Sequence, residues 1–193
     1  MSILFNPVLK VYNRKNTYDV MDIVLIGAGG NAGPLVQKIA RTMYAFGESL
    51  DKRSYFSQHD RMTLMICDGD EVETKNLLRQ PFIESDVGEY KASVLAERYA
   101  EAYGVPIFSN TAYIDSPEEI EELFKIMRDT NPNRKHIKVL IGCVDNNATR
   151  QIMHEYFMSQ RDLIYIDAGI EGIAGDSDEE KFEAGYSGQV VCG

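Results

Sequence analysis

Tryptophan is absent from this 193-residue chain, cysteine is limited to three positions and proline to six. No apolar run approaches the roughly 20 residues of a membrane span. Cys67, Cys143 and Cys192 are widely separated, and no Cys-x-x-Cys pair exists to supply a structural zinc site of the usual spacing. All three lie in strand-like apolar contexts and read as buried, reduced thiols, which implies a reducing cytoplasm. The start, Met1 to Pro7, carries neither the basic nor the apolar region of a signal peptide. Positive charge is also short: 20 Lys and Arg face 30 Asp and Glu, leaving a net charge of −10. That balance disfavours nonspecific binding to nucleic acid or anionic membranes, so local positive groups must hold any anionic ligand. What remains has the hydrophobic and charged content of a soluble globular protein, in one domain over residues 1–193, long enough to bury a core without staples.

The apolar patterning alternates between strand and helix. Ile23 to Ile26 is a continuous apolar run bounded by glycines, as in a buried parallel strand. A helix is expected after Gly33, with Pro34 in its first turn, Leu35, Ile39, Met43 and Phe46 on one face, and Gly47 at its end. A polar loop over Glu48 to Asp60 precedes a strand at Met62 to Cys67, and a helix runs from about Tyr90 to Tyr103. Val105 to Phe108 reads as a strand. Ser116 then caps a helix that has Pro117 first and acids in its first turn. A turn over Asn131 to His136 leads to a strand at Val139 to Gly142, a helix at Asn147 to Ser159 and a strand at Leu163 to Asp167. The order predicts an α/β fold with a doubly wound, mostly parallel sheet and a Rossmann-like glycine-rich turn. Glu171 to Gly185 looks mobile. The chain then stops on a strand at Gly188 to Gly193 with no crossover behind it, as a domain lacking a C-terminal part would.

Chemistry-bearing residues gather where strands end. Gly27, Gly29, Gly30 and Gly33 let the backbone turn tightly and bring helix N–H groups to a phosphate, although a plain tight turn has the same composition. Asp68 sits where a ribose-binding carboxylate belongs, or is an exposed acid in an Asp-Gly-Asp turn. A dinucleotide site sets this acid about 20 residues after the glycines. Here it stands 38 after Gly30, across the polar insertion, so spacing does not decide for NAD. Asp70 is a second carboxylate in the same nucleotide-binding segment, and Asn76, Arg79, Gln80 and Lys91 are donors beyond what NAD requires, matching a triphosphate whose charge must be neutralised. Taken singly, Arg79 or Lys91 would read as a surface cation. Asp145 follows an apolar strand, where it could hold Mg²⁺ through oxygen or cap the next helix with Asn146 and Asn147. Arg150, one turn on, is as suited to pinning Asp145 or Asp167 as to touching substrate.

Four marks in this order resemble the ThiF/MoeB/HesA superfamily, the adenylating fold shared with ubiquitin-activating enzymes. They are Gly27-Ala-Gly-Gly-Asn-Ala-Gly33, Asp68 through Gln80, Gly88-Glu-Tyr-Lys91, and Asp145-Asn-Asn-Ala-Thr-Arg150. The end of the chain, Asp167-Ala-Gly with Ser187 to Gly193, resembles ThiF-type proteins of bacterial mobile-element and conjugation-like operons. The resemblance implies that Asp68 holds the ATP ribose and that Asn76, Arg79 and Gln80 line the phosphates. It assigns Lys91 to the α-phosphate and Asp145 to Mg²⁺. The implied reaction is attack by a carboxylate, the C-terminal glycine of a small ubiquitin-like protein, on the α-phosphorus of ATP, giving an acyl-adenylate and pyrophosphate. It also implies a homodimer, with an arginine near the N-terminus, for which Arg14 is the candidate. Relatives that pass the acyl group to sulfur carry a further cysteine; Cys192 is in the right half, but its Val-Val-Cys setting reads as strand. The competing readings are a noncatalytic partner subunit and an NAD(P)- or FAD-binding oxidoreductase.

Overall fold

The structure is a computed structural model that describes residues 20–49, 62–129, 133–171 and 187–193. Arg14, most of the polar loop at 48–60, the first residues of the turn at 131–136 and most of the segment at 171–185 lie outside them. One sheet carries β1 (Val20–Ile26), β2 (Met62–Cys67), β3 (Ile107–Asn110), β4 (His136–Gly142), β5 (Leu163–Glu171) and β6 (Ser187–Cys192), in the order β3-β2-β1-β4-β5-β6. Every pairing is parallel except that of β5 with β6. The helices are α1 (Ala32–Ser49), α2 (Lys91–Tyr103), α3 (Pro117–Asp129) and α4 (Asn147–Ser159). The α/β, doubly wound and mostly parallel architecture expected from the sequence is the one observed.

Strand alternation builds two cores. Ile23, Leu25, Leu64 and Ile66 face α1 and α2, against Val36, Ala40, Leu95 and Ala96. Val24, Ile26, Met65 and Leu140 face the other way, onto Ile120, Phe124, Met153 and Tyr156 of α3 and α4. Strands covered on both faces are apolar at consecutive positions, which is why β1 and β2 read as unbroken runs.

Some boundaries move from their expected places, for physical reasons. β1 begins at Val20, upstream of Ile23, because Asp22 is satisfied inside the sheet. Its Oδ1 accepts from the Thr63 hydroxyl at 2.7 Å, and its Oδ2 shares a hydrogen bond with His136 Nδ1 at 2.6 Å. β4 extends back to His136 because the Lys138 ammonium finds Glu121 at 2.6 Å and the Tyr156 hydroxyl at 3.0 Å. α1 continues through Gly47 instead of stopping there. Ser116 does cap α3, its hydroxyl accepting from the Glu119 N–H at 3.4 Å.

The sheet order reverses between β1 and β4. From β1 the chain winds outward through β2 to β3, and α3 then carries it back across to β4. Neighbouring strands whose crossovers leave in opposite directions open a crevice at their C-terminal ends. The glycine turn after β1 and Asp145 after β4 border it.

Candidate nucleotide site

A cleft of about 720 Å³ occupies this crevice. Gly27, Gly29, Gly30, Asp68, Asp70, Arg79, Gln80, Lys91 and Asp145 all line it, so nearly the whole set expected from the sequence meets in one place.

The glycine turn is held by its neighbours. Gly27 donates its N–H to the Cys67 carbonyl at 2.8 Å, and Cys143 donates to the Ile26 carbonyl at 2.8 Å. Gly27 has φ +97°, and a Cβ there would stand 2.7 Å from the Cys143 oxygen. Only glycine meets both demands. α1 starts at Ala32, so its positive end lies at the end of a turn that faces the cleft, with the Gly33 N–H donating to the Gly29 carbonyl at 3.3 Å.

Asp68 ties the turn to β2. Its Oδ2 accepts from the Ala28 N–H at 2.6 Å and its Oδ1 from the Asp70 N–H at 2.8 Å. Burial pushes its carboxyl above the ordinary value of 3.8, against the pull of those two N–H groups. Each oxygen keeps a second lone pair, which is what a pair of ribose hydroxyls would require.

The next wall is folded by Asn76, which does not line the cleft. Asn76 is 2% exposed, and its side-chain oxygen accepts from the Glu73 N–H at 2.8 Å. Its main-chain carbonyl accepts from the N–H groups of Arg79 at 3.2 Å and Gln80 at 2.9 Å. Asn76 therefore shapes the turn that aims its two successors. The Pro81 ring fills the space left by the missing side chain of Gly33, locking this wall against the glycine turn. Arg98, in α2, secures it from behind, donating to the Pro81 carbonyl and to Asp86 Oδ2, each at 2.6 Å. Gln80 Oε1 is buried without a hydrogen-bond partner among the described residues. An orphaned acceptor at a cleft wall suits a donor brought by a ligand.

Two charges face the opening unspent. Arg79 and Asp145 are exposed, and the side chain of neither makes a hydrogen bond or ion pair among the described residues. Asp145 is not the helix cap; Asn146 is, its side chain accepting from the Thr149 N–H at 2.8 Å. Arg150 pins the loop by donating from Nη2 to the Val144 carbonyl at 2.9 Å, with Nε 3.7 Å from Asp167 Oδ2. Lys91 is different: its ammonium meets Asp70 Oδ2 at 2.7 Å.

Cys67 and Cys143 also border the cleft. Burial pushes their thiols up to about 12 and about 11, so neither forms a thiolate at neutral pH. Cys192, expected buried, is exposed. No group of three or more His, Cys, Asp or Glu able to hold a metal ion occurs among the described residues. No helix among them is long and apolar enough to cross a membrane. Sequence reasoning missed Tyr113 and Thr149, which line the cleft, and Arg98 behind it.

The ThiF family model matches residues 16–190. The fold is similar to that of E. coli MccB solved with ATP, with 17% identity, a TM-score of 0.56, and coverage of 81% of this chain and 38% of that one. It is similar also to E. coli tRNA N6-threonylcarbamoyladenosine dehydratase, TcdA, solved with AMP: 18% identity, TM-score 0.53, 75% of this chain and 49% of that one. MccB solved with succinimide gives 19% identity, a TM-score of 0.52, and 77% and 37% coverage. The chain thus spans less than half the length of these structures. No curated protein matches it.

Proposed function

Because the chain belongs to the ThiF family, we propose that it binds ATP in this cleft and adenylates a carboxylate. The observation that carries the reading is the convergence on one crevice of a glycine turn tied to Asp68, the unpaired Arg79 and Asp145, and Lys91. ATP in MccB and AMP in TcdA, both of this fold, support an adenine nucleotide as the occupant.

The ribose hydroxyls donate to the free lone pairs of Asp68, and the glycine turn and the start of α1 receive phosphate oxygens. Arg79 and Lys91 neutralise the triphosphate, with Gln80 Oε1 taking a donor at the same wall. The acceptor carboxylate is ionised at neutral pH and needs no general base. One of its oxygens bonds to the α-phosphorus as the bond to the bridging oxygen of pyrophosphate breaks, and that oxygen leaves with the electron pair. Catalysis rests on positioning and on charge neutralisation. At an effective dielectric near 20, opposite unit charges about 4 Å apart interact by roughly 4 kcal/mol, so each cation matters.

Asp145 alone among the described residues offers a free carboxylate at the cleft beside β4, which fits Mg²⁺, an ion commonly held by one or two carboxylates with phosphates and water. When bound, Mg²⁺ supplies further neutralisation of the phosphates. The acceptor we propose is a small ubiquitin-like protein ending in glycine, and the working unit a homodimer in the cytoplasm. MccB, solved with its peptide MccA, supports a polypeptide partner in kind.

Pyrophosphate exchange into ATP, dependent on an added C-terminal carboxylate, tests the reaction. Arg79→Ala and Asp145→Ala are each expected to lower it by about 10² with the fold intact. Wild-type rates in both would overturn the assignment. Binding of Mg-ATP without exchange would mark a noncatalytic partner subunit.

A further inference from the structure

Asp70 stands in the cleft with both carboxylate oxygens already engaged. Oδ2 accepts from the Lys91 ammonium at 2.7 Å, and Oδ1 accepts from the Tyr113 hydroxyl at 2.6 Å. The three residues come from three segments: the loop after β2, the first residue of α2, and the loop after β3. Main-chain bonds bring the first two face to face. Lys91 N–H donates to the Asp70 carbonyl at 2.9 Å, Val72 to Glu89 at 2.8 Å and Gly88 to Val72 at 2.9 Å. Tyr113 is seated by Gly69, where a Cβ would stand 2.8 Å from three atoms of the tyrosine ring.

This arrangement answers a problem that the position of Lys91 creates. Its side chain is 8% exposed, and it opens a helix whose positive end repels a cation. A fixed anionic acceptor is needed to hold it there. A carboxylate that is 49% exposed and gripped by one oxygen is free to rotate and carry the lysine with it. The phenol hydroxyl grips the second oxygen and so fixes the direction from which the first is presented.

We propose that Tyr113 is a positioning residue which, through Asp70, sets where the Lys91 ammonium stands for the α-phosphate, and that Asp70 is the counter-charge of Lys91 rather than a ligand of the nucleotide. The link among the three side chains stands on its own geometry; its purpose rests on the adenylation reading above.

Steady-state pyrophosphate exchange on the whole chain tests it with Tyr113→Phe, Lys91→Ala and the double variant. Tyr113→Phe is expected to lower kcat about tenfold, the loss of a hydrogen bond to a charged group. The KM for ATP should stay within about twofold, because the interaction lost is one made in the transition state. In the Lys91→Ala background the same substitution should cost nothing more. An equal loss in that background would mean that Tyr113 acts without Lys91, and an unchanged kcat in the single variant would mean that it positions nothing. Amine acetylation followed by peptide mass spectrometry supplies a readout independent of turnover. Tyr113→Phe and Asp70→Asn should each raise the labelling rate of Lys91 several-fold relative to the other lysines. Unchanged labelling overturns the link. Raised labelling in a chain whose wild type performs no exchange retains the link and discards the adenylation reading alone.

Discussion

Asp68 and Asp70 are two residues apart, yet their surroundings act on them in opposite directions. Burial raises Asp68, while the Lys91 hydrogen bond and then the Tyr113 hydroxyl lower Asp70. The stability that Asp70 contributes is therefore present above its ordinary value of 3.8 and lost as pH falls through its lower folded value. Asp68 has the reverse sign: its contribution is full below 3.8 and declines as pH rises through its raised value. Melting temperatures recorded across the acid range should show a shallower acid decline in Asp70→Asn than in wild type, starting below 3.8. An identical decline would mean that Asp70 gains nothing from Lys91. At Gly27, φ +97° and the nearby Cys143 oxygen predict that Gly27→Ala costs at least about 1–3 kcal/mol, read from the denaturant midpoint. The glycines, Asp68 and Asp145 were legible because each follows closely on a strand end, and Arg79, Gln80 and Lys91 because they belong to the marks that carry the family resemblance. Asn76 was legible as a member of the segment but not in its orientation, since an amide suits a phosphate wall and a turn equally well. Tyr113 and Arg98 gave no signal, because a loop tyrosine and a mid-helix arginine belong to none of the motifs by which the sequence marks the site.

Between elements, polar residues do the joining that apolar patterning does not reveal. Asp22 links β1 to Thr63 of β2 and His136 of β4, at the end of the sheet away from the cleft. Its charge interrupts the apolar run, which is why the sequence alone starts that strand too late. Asp22→Ala removes an acceptor shared by two buried groups and is expected to cost about 1–3 kcal/mol. If ATP affinity fell in parallel while the protein stayed folded, the two ends of the sheet would be coupled. On the cleft side, Asn146 caps α4 immediately after Asp145. Asn146→Ala should destabilise by about 1 kcal/mol and loosen the Asp145 loop. A thermal melt checks the first effect and the Mg²⁺ dependence of ATP binding the second. The antiparallel pairing of β6 was not readable, because a strand's direction follows from the connection before it, here the 172–186 segment.

Across the described residues, an acidic chain brings the side chains of Arg79 and Lys91 to one crevice. The net charge of −10 gives no general attraction for an anion, so affinity for a nucleotide has to come from Arg79, Lys91 and the N–H groups of the turn. The doubly wound sheet supplies that crevice through its strand order alone, and alternating strand and helix patterns are enough to forecast it. The occupant is a matter of side chains, and the one proposed above is a triphosphate rather than a dinucleotide. Calorimetric titration of the purified chain with ATP in the presence and absence of Mg²⁺, and with NAD, on wild type and Arg79→Ala, tests this most directly. Saturable Mg-ATP binding, weakened without the metal and largely lost in Arg79→Ala, with no binding of NAD, is the predicted result. Binding of NAD that survives Arg79→Ala, with none of ATP, would contradict it.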